Sequence, residues 1–351
     1  MDALRIYDAR MNYLGEIEDY QSLIWTTRWQ EPGEFSLTCP ATAMNVELLA
    51  SGFFAWVRGE PECALVESVV LTEDEDSSTA EAGGRMASQL LAWRRIRGLP
   101  YRYSGRAGDA PSRLTAACSP LVSPEDGIRL ILAPAPEPGE TVSFQATYRR
   151  LLTYLQRVCR LQGWGLRLRP DFTAKTLTLE AYAGESRPGV VFSDRFDNLG
   201  KAVFTRSREE YANVCFTLGK DGESDILETV GAAKAQGLAR REALLESSSS
   251  REEGAGMARF RAQLREQGED ALATQYAEVS SVECETDPLR PFAFGTDWRL
   301  GDIVTLRRSA WGLRESKRVT EVSVVREGGI TTLAPVFGSP LPEKIEWEDS
   351  E

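Results

Sequence analysis

Asp194, Asp197, Glu209 and Glu210 lie close together along the chain, and paired carboxylates of this kind can run glycoside hydrolysis, one as general acid and one as nucleophile or base. Nothing in the sequence places two of them across a cleft, and acidic residues in such segments are ordinarily solvated loop charge. The chain has no histidine, which removes the usual general base, the Ser/His and Cys/His nucleophile pairs and the commonest zinc ligand together. Asp221-Gly222-Glu223-Ser224-Asp225 is acidic like a calcium loop but lacks the ordered ligand spacing and terminal glutamate, so it reads as a turn. Gly83-Gly84-Arg85 has too few glycines and no Lys-Ser/Thr pair to cradle a phosphate, and a strand-to-helix turn is expected there. The six cysteines (Cys39, Cys63, Cys118, Cys159, Cys215 and Cys284) are spread singly without a CxxC pair, which predicts free thiols. Eight tryptophans could stack on sugars, yet Trp25, Trp56, Trp93 and Trp164 fall in the apolar phase of their segments, which favours a core or a subunit interface. The residues thus predict no catalytic group, no cofactor and no metal, and a protein that is not an enzyme.

The elements that must carry these residues are those of a globular chain. At 351 residues, 42% hydrophobic and 27% charged, it is long enough for several modules with sizeable cores. Met1-Asp2-Ala3-Leu4-Arg5 runs straight into an alternating pattern, so no secretory signal is expected, and apolar runs such as Val69-Val70-Leu71 are too short to span a bilayer. A net charge of −12 repels phosphate backbones, so no tight nucleic-acid binding is expected.

Residues 1–80 alternate as strands: Leu4–Tyr7, Tyr13–Ile17, Ser22–Trp29, Phe35–Cys39, Phe53–Arg58 and Cys63–Leu71, with a short helix after Pro40 capped by Thr42. A helix is predicted over Gly84–Ile96, ended by Gly98-Leu99-Pro100, and Pro/Gly-dense 101–143 reads as loop-rich. Tyr148, Leu151, Leu152, Leu155, Val158 and Cys159 predict an amphipathic helix stopped by Gly163, followed by a hairpin over Trp164–Tyr182. Strands are expected at Val190–Phe192, Ala202–Thr205 and Val214–Leu218, then two helices across 231–277 joined by the polar Ser247–Ser250, then strands again at Val279–Cys284, Ile303–Leu306, Val319–Val325 and Ile330–Leu333.

Several of these runs carry a resemblance. Leu23-Ile24-Trp25-Thr26-Thr27-Arg28-Trp29, then Gly33-Glu34-Phe35-Ser36-Leu37 and Pro40, resembles the opening of siphophage-type tail and baseplate hub proteins, related to contractile-phage hub proteins and also found in phage-tail-like particles. Gly84-Arg85 before Leu90-Leu91, Tyr211-Ala212-Asn213-Val214, Phe294 to Val304 with Asp297, Gly301 and Asp302, and Val336-Phe337-Gly338 follow in the family's order. Residues 101–140 depart from it most.

The resemblance implies an α+β, mainly β fold with two tube-like antiparallel β-barrel modules: 1–97 forms the first, and 190–230 with 278–340 the second. Residues 98–189 would be a helix-plus-hairpin insertion, 231–277 a helical insertion and 341–351 an acidic tail. It implies a homotrimeric ring that continues the tail tube, with a tail tube or distal tail protein, a tape measure protein and a tip or spike protein as partners. The place implied is the virion tail tip or a phage-tail-like particle, assembled in the bacterial host cytoplasm. Trp25, Gly33, Phe35, Gly84, Arg85, Asn213, Asp297, Gly301, Asp302 and Gly338 would be its assembly residues, and part of the acidic excess would face the lumen. A carboxylate-based tail-associated peptidoglycan hydrolase and a glycan- or receptor-binding tail protein are the alternatives.

Overall fold

The computed structural model of the chain describes residues 3–74, 77–98, 101–220, 226–231, 236–247, 257–286 and 291–339. The acidic segment Asp221–Asp225, Ser248–Ser250 and the tail 341–351 lie outside the described residues. The fold is mainly β, and it divides into two units: 1–142, 146–202 and 283–337 form the first, and 143–145, 203–282 and 338–351 the second.

The first unit begins with β1 (Leu4–Tyr7) and β2 (Tyr13–Ile17), a hairpin whose turn is held by Asp8: its Oδ1 accepts the backbone N–H groups of Arg10 and Asn12, both at 2.8 Å. Next come β3 (Ser22–Arg28) and β4 (Glu34–Pro40), and then α1 (Ala43–Ser51). The Thr42 hydroxyl caps that helix by accepting the Asn45 N–H at 3.2 Å, as its position before the apolar run predicts. β5 (Phe54–Val57), β6 (Ala64–Leu65), β7 (Ser68–Glu73) and β8 (Ser78–Arg85) follow. The sequence expects a helix from Gly84, but β8 runs through Arg85 and only a 3-10 turn, Ala87–Trp93, comes after it. Strand pairing with β4 explains this: Gly84 and Arg85 are already in register with Phe35 and Glu34.

In 101–185 the strands are β9 (Arg102–Arg106), β10 (Arg129–Leu132), β11 (Thr141–Gln145), β12 (Gly165–Asp171) and β13 (Thr176–Tyr182), with α2 (Ala110–Ala116) and α3 (Leu151–Gln162) between them. α3 buries Leu151, Leu152, Leu155, Val158 and Cys159 and ends at Gly163, at φ 68. Tyr148 is not part of it. It sits at φ 54, is 54% exposed, and its N–H donates to the Ile96 carbonyl at 2.7 Å, so a turn precedes the helix. β12 and β13 pair antiparallel from Gly165↔Tyr182 to Asp171↔Thr176, the hairpin their alternation predicts, and β10 joins β13 in parallel.

The chain then forms β14 (Ser186–Ser193) and leaves the first unit within β15 (Gly200–Ser207). In the second unit β16 (Val214–Leu218) is flanked by β17 (Ile226–Val230), antiparallel, and β18 (Glu242–Glu246), parallel. α4 (Met257–Ala273) buries Phe260 and Leu264, the apolar face read from the sequence. Where the sequence predicts the first of two helices, β18 is a strand. Its Glu-Ala-Leu-Leu-Glu composition favours helix locally, and backbone pairing with β16 overrides that preference.

The chain returns through β19 (Val279–Glu285) to β20 (Ile303–Arg308), β21 (Leu313–Glu327) and β22 (Ile330–Ser339). The largest sheet has the path β15-β19-β22-β21-β3-β4-β8-β7. Its centre is the antiparallel register of β21 with β3, from Glu321↔Arg28 to Glu327↔Ser22. The strands expected in the first tube module and those expected near the C-terminus therefore share one sheet.

Candidate assembly site

Three of the residues singled out in the sequence form one row across that sheet. Trp25 on β3 stands opposite Phe35 on β4, which stands opposite Gly84 on β8, and on the other side Trp25 pairs with Val324 on β21. Trp25 is fully buried and its ring centroid lies 6.1 Å from that of Phe35. Gly84 completes the row because nothing larger fits: a Cβ there would lie 1.9 Å from the Leu65 carbonyl oxygen. Gly33 is likewise excluded from carrying a side chain, since its Cβ would meet the Thr26 carbonyl oxygen at 1.9 Å. Arg85 closes the end of the row with a fork onto Glu67, Nε to Oε2 at 3.1 Å and Nη2 to Oε1 at 3.3 Å.

A second group gathers around an indole outside the set that the sequence singles out. Trp29 is 4% exposed; its N–H donates to the Thr320 carbonyl at 2.8 Å and its carbonyl accepts the Leu166 N–H at 2.9 Å. Tyr182 meets its ring edge-on at 4.7 Å and the Arg318 guanidinium lies 5.1 Å from its centre. Burial holds Arg318 below its ordinary pKa, with the Asp302 charge opposing that shift. Trp29 thus joins the end of β3, the β12–β13 hairpin and the turn before β20, all within the first unit.

Gly301 and Asp302 form that turn. Gly301 has φ +92 and a Cβ on it would stand 1.8 Å from Cζ3 of Trp29. Its carbonyl accepts from Arg318 Nη1 at 2.6 Å. The Asp302 carboxylate is buried and fully used: Oδ1 accepts the Glu185 N–H at 2.8 Å, and Oδ2 accepts Arg187 Nε at 2.8 Å and the Arg299 N–H at 3.0 Å. Asp297 does similar work one turn earlier, its Oδ2 accepting the Ala293 N–H at 2.7 Å. Gly338 sits at φ 87 near the end of β22.

Asp302→Ala should cost about 2–4 kcal/mol, chiefly because it leaves the Glu185 and Arg299 N–H groups without an acceptor, while Arg187 keeps Glu185 Oε2 at 2.9 Å. Asp302→Asn keeps the shape and one acceptor oxygen and should cost less than half of that. Urea unfolding of the two variants measures the difference, and equal losses would mean that the charge, which both variants remove, and not the acceptor that Asn retains, is the reason.

Asn213 belongs to the second unit. Its Oδ1 accepts the Arg241 N–H at 2.9 Å and its Nδ2 donates to the Ala239 carbonyl at 2.9 Å, which fixes the loop before β18 against the start of β16. It is not brought into the Trp25 row or the Trp29 group by any hydrogen bond it makes here.

Of the four carboxylates singled out in the sequence, Asp194 is held by hydrogen bonds. Asp194 accepts from the Ser193 hydroxyl at 3.2 Å and the Ser309 N–H at 3.2 Å. Desolvation pushes its carboxyl up, but these bonds together with the Arg308 charge outweigh that push and hold it below the ordinary range. Asp197 occupies a turn at φ 54, and the Glu209 N–H is bound by the Ser207 hydroxyl. All six cysteines are free thiols, and burial pushes Cys39 up to about 11 and Cys159 and Cys284 up to about 12, far from a reactive thiolate. Among the described residues no group of three or more acidic or cysteine side chains stands together to hold a metal, and no helix is long and apolar enough to cross a membrane. Of the tryptophans, Trp25 and Trp164 are buried as expected, Trp56 is half-buried, and Trp93, at the end of the 3-10 turn, is 47% exposed.

A sequence model of the Siphovirus ReqiPepy6 Gp37-like protein family matches residues 3–339, which include both groups and Asn213. No curated protein matches the sequence. Among solved structures, the 43 kDa tail protein of prophage MuSo2 from Shewanella oneidensis is similar at a TM-score of 0.59 and 14% identity, over 96% of this chain and 98% of that one. The tail protein from Neisseria meningitidis MC58 gives 0.62 at 12% identity over 96% of both chains. The prophage tail protein gp18 from Listeria monocytogenes EGD-e gives 0.55 at 9% identity, over 98% and 96%. At these identities the likeness is one of fold.

Proposed function

The chain belongs to the Siphovirus ReqiPepy6 Gp37-like protein family, and from that premise we propose that it is a structural baseplate hub at the tip of a phage tail or phage-tail-like particle, not an enzyme. Three copies form a ring that continues the tail tube and docks a tip or spike protein below it. The tail tube or distal tail protein and the tape measure protein are its other partners. It is assembled in the host cytoplasm and works in the virion tail.

The observation that carries this reading is the β3–β21 junction, which makes one sheet out of strand sets almost 300 residues apart in the chain. A sheet with eight strands in its path and two open ends is suited to be extended by neighbours and poorly suited to stand alone in water. The residues that the family resemblance singles out support the same reading, because Gly33, Gly84 and Gly301 allow close backbone approach and the Asp302 carboxylate holds a turn.

Light scattering on the purified chain, alone and with its tail-tube neighbour, tests the proposal. A mass of three copies in either state is expected. A chain that stays monomeric in both states overturns it, and release of soluble fragments from peptidoglycan, lost on Asp194→Asn, would put the hydrolase reading in its place.

A further inference from the structure

The charge of this chain is unevenly spread. It has 41 basic and 53 acidic residues in all, yet residues 94–160 hold eleven arginines, no lysine and five acidic residues. The fold draws part of that excess into one exposed patch of the first unit. Arg95 forms an antiparallel bridge with Arg150, flanked by hydrogen bonds from the Ile96 N–H to the Arg149 carbonyl and from the Leu151 N–H to the Arg94 carbonyl, both at 3.0 Å. Ile96 and Leu151 are fully buried, while Arg95, Arg97 and Arg150 beside them are exposed. Arg149 and two half-exposed rings, those of Trp93 and Tyr148, complete the patch.

We infer that this patch docks an acidic segment of another protein, an extended stretch with carboxylates on every second residue that also covers the Trp93 and Tyr148 rings. The inference goes beyond the hub reading: it gives the chain a face for a neighbour of stated chemistry, and it does not depend on how many copies assemble.

Within the chain the arrangement is unfavourable. Side chains opposed across such a bridge have Cβ atoms about 4.5–5.5 Å apart, and like charges placed there repel. No ion pair joins Arg95, Arg97 or Arg149 to an acidic side chain among the described residues, and the first turn of α3, which starts at Leu151, has no acidic residue. Tyr148 is held at φ 54, a backbone region that a bulky side chain rarely adopts, and more than half of it is exposed. Like charges gathered without a counter-charge, next to a ring kept outward under backbone strain, mark a surface completed by something else.

The residue types say what that is. Tryptophan, tyrosine and arginine are the side chains that most often anchor protein interfaces, and the guanidinium fork matches a carboxylate with two parallel hydrogen bonds. Arg95 and Arg97 stand two residues apart, about 6.5–7 Å on an extended chain, which is also the repeat of same-side carboxylates on an extended partner. A nucleic acid of any length would meet the field of the whole chain at −12, whereas a short acidic segment feels chiefly the charges within a Debye length of about 8 Å.

Fluorescence anisotropy of the full-length protein with a fluorescein-labelled peptide of alternating glutamate and alanine tests this. Binding is expected at low salt and should fade as salt is added. Arg95→Glu/Arg97→Glu should weaken it by about tenfold or more, while Arg58→Glu/Arg261→Glu, the same change of net charge at exposed arginines elsewhere, should stay within about twofold of the parent. Tyr148→Gly should weaken binding without lowering the melting temperature, because glycine accepts the left-handed backbone. The proposal is overturned if the parent does not bind the peptide at low salt, if Arg95→Glu/Arg97→Glu binds like the parent, if the control pair loses as much, or if Tyr148→Gly binds unchanged. Tighter binding of a labelled oligothymidylate of equal charge overturns it too, and makes the partner a nucleic acid. The mass by light scattering is read separately, so the hub reading and the docking patch can fail one without the other.

Discussion

Gly301→Ala should destabilise the first unit by about 3–5 kcal/mol. Two penalties combine. At φ +92 an L-residue is strained by roughly 1–3 kcal/mol whatever surrounds it. The added Cβ would also stand 1.8 Å from Trp29 Cζ3 and 2.3 Å from Cε3, a rigid ring held by Tyr182, by the Arg318 guanidinium and by its own two backbone hydrogen bonds. The indole has no free rotation with which to give way. Gly295 separates the two penalties, since it sits at φ +83 and a Cβ there would meet nothing within 4 Å, so Gly295→Ala should cost only the backbone strain. Denaturant unfolding followed by tryptophan fluorescence measures both variants. Similar losses in the two would show that the approach of Trp29 does not matter.

The same turn illustrates what could be read from residues alone. Leu300-Gly301-Asp302-Ile303 announces a tight turn before a strand, because glycine supplies the backbone freedom and Asp binds local N–H groups, and the structure has that turn with Asp302 accepting from Arg299. What the glycine is pressed against was not legible. Trp29, Gly165 and Gly301 meet from three distant segments, and a period of two or 3.6 residues carries no information about such a meeting. The signal that existed was indirect: a tryptophan closing an apolar strand, with two glycines at strand starts elsewhere.

Local pattern succeeded where the core decides locally. The hairpin over Gly165–Tyr182 and the buried face of α3 follow from alternation and from helical spacing. It failed where pairing partners decide. Glu242–Glu246 has the composition of a helix and becomes a strand beside β16, and Gly84 has the look of a turn and becomes the third member of the Trp25 row. The β3–β21 junction, on which the proposed assembly depends, belongs to neither sequence neighbourhood. Register between strands so far apart is set by which apolar faces must be buried together, and only the folded chain shows it.

Raising the pH from about 4.5 to about 8 should weaken the fold through one carboxyl, and Glu62→Gln should abolish that weakness. Glu62 lies at 3% exposure just before β6. Burial, opposed by the Arg167 charge and reinforced by Glu60 and Glu180, pushes its carboxyl from the ordinary 4.5 up to about 8. Arg167 cannot neutralise it alone, because its Nε is committed to Glu180 Oε2 at 2.7 Å and its guanidinium lies over the Tyr182 ring. The sign is that of a raised folded-state value. Below 4.5 the group is neutral in both states and the fold keeps its full stability. From there to about 8 only the unfolded chain ionises, and stability falls by about 1.4 kcal/mol per pH unit, for a total on the order of 5 kcal/mol. Above about 8 the folded chain carries the charge too and the loss levels off. Glu278, held at about 2 by hydrogen bonds from Arg206 and Arg208, acts in the opposite sense and only on the acid side, outside this window. Glu62→Gln keeps the size of the side chain and removes the proton. The variant should match the parent near pH 5, and exceed its melting temperature increasingly up to about pH 8. Thermal unfolding of both proteins across that range reads the difference. Curves that stay parallel would mean that Glu62 is already ionised in the folded chain, and that Arg167 compensates it after all.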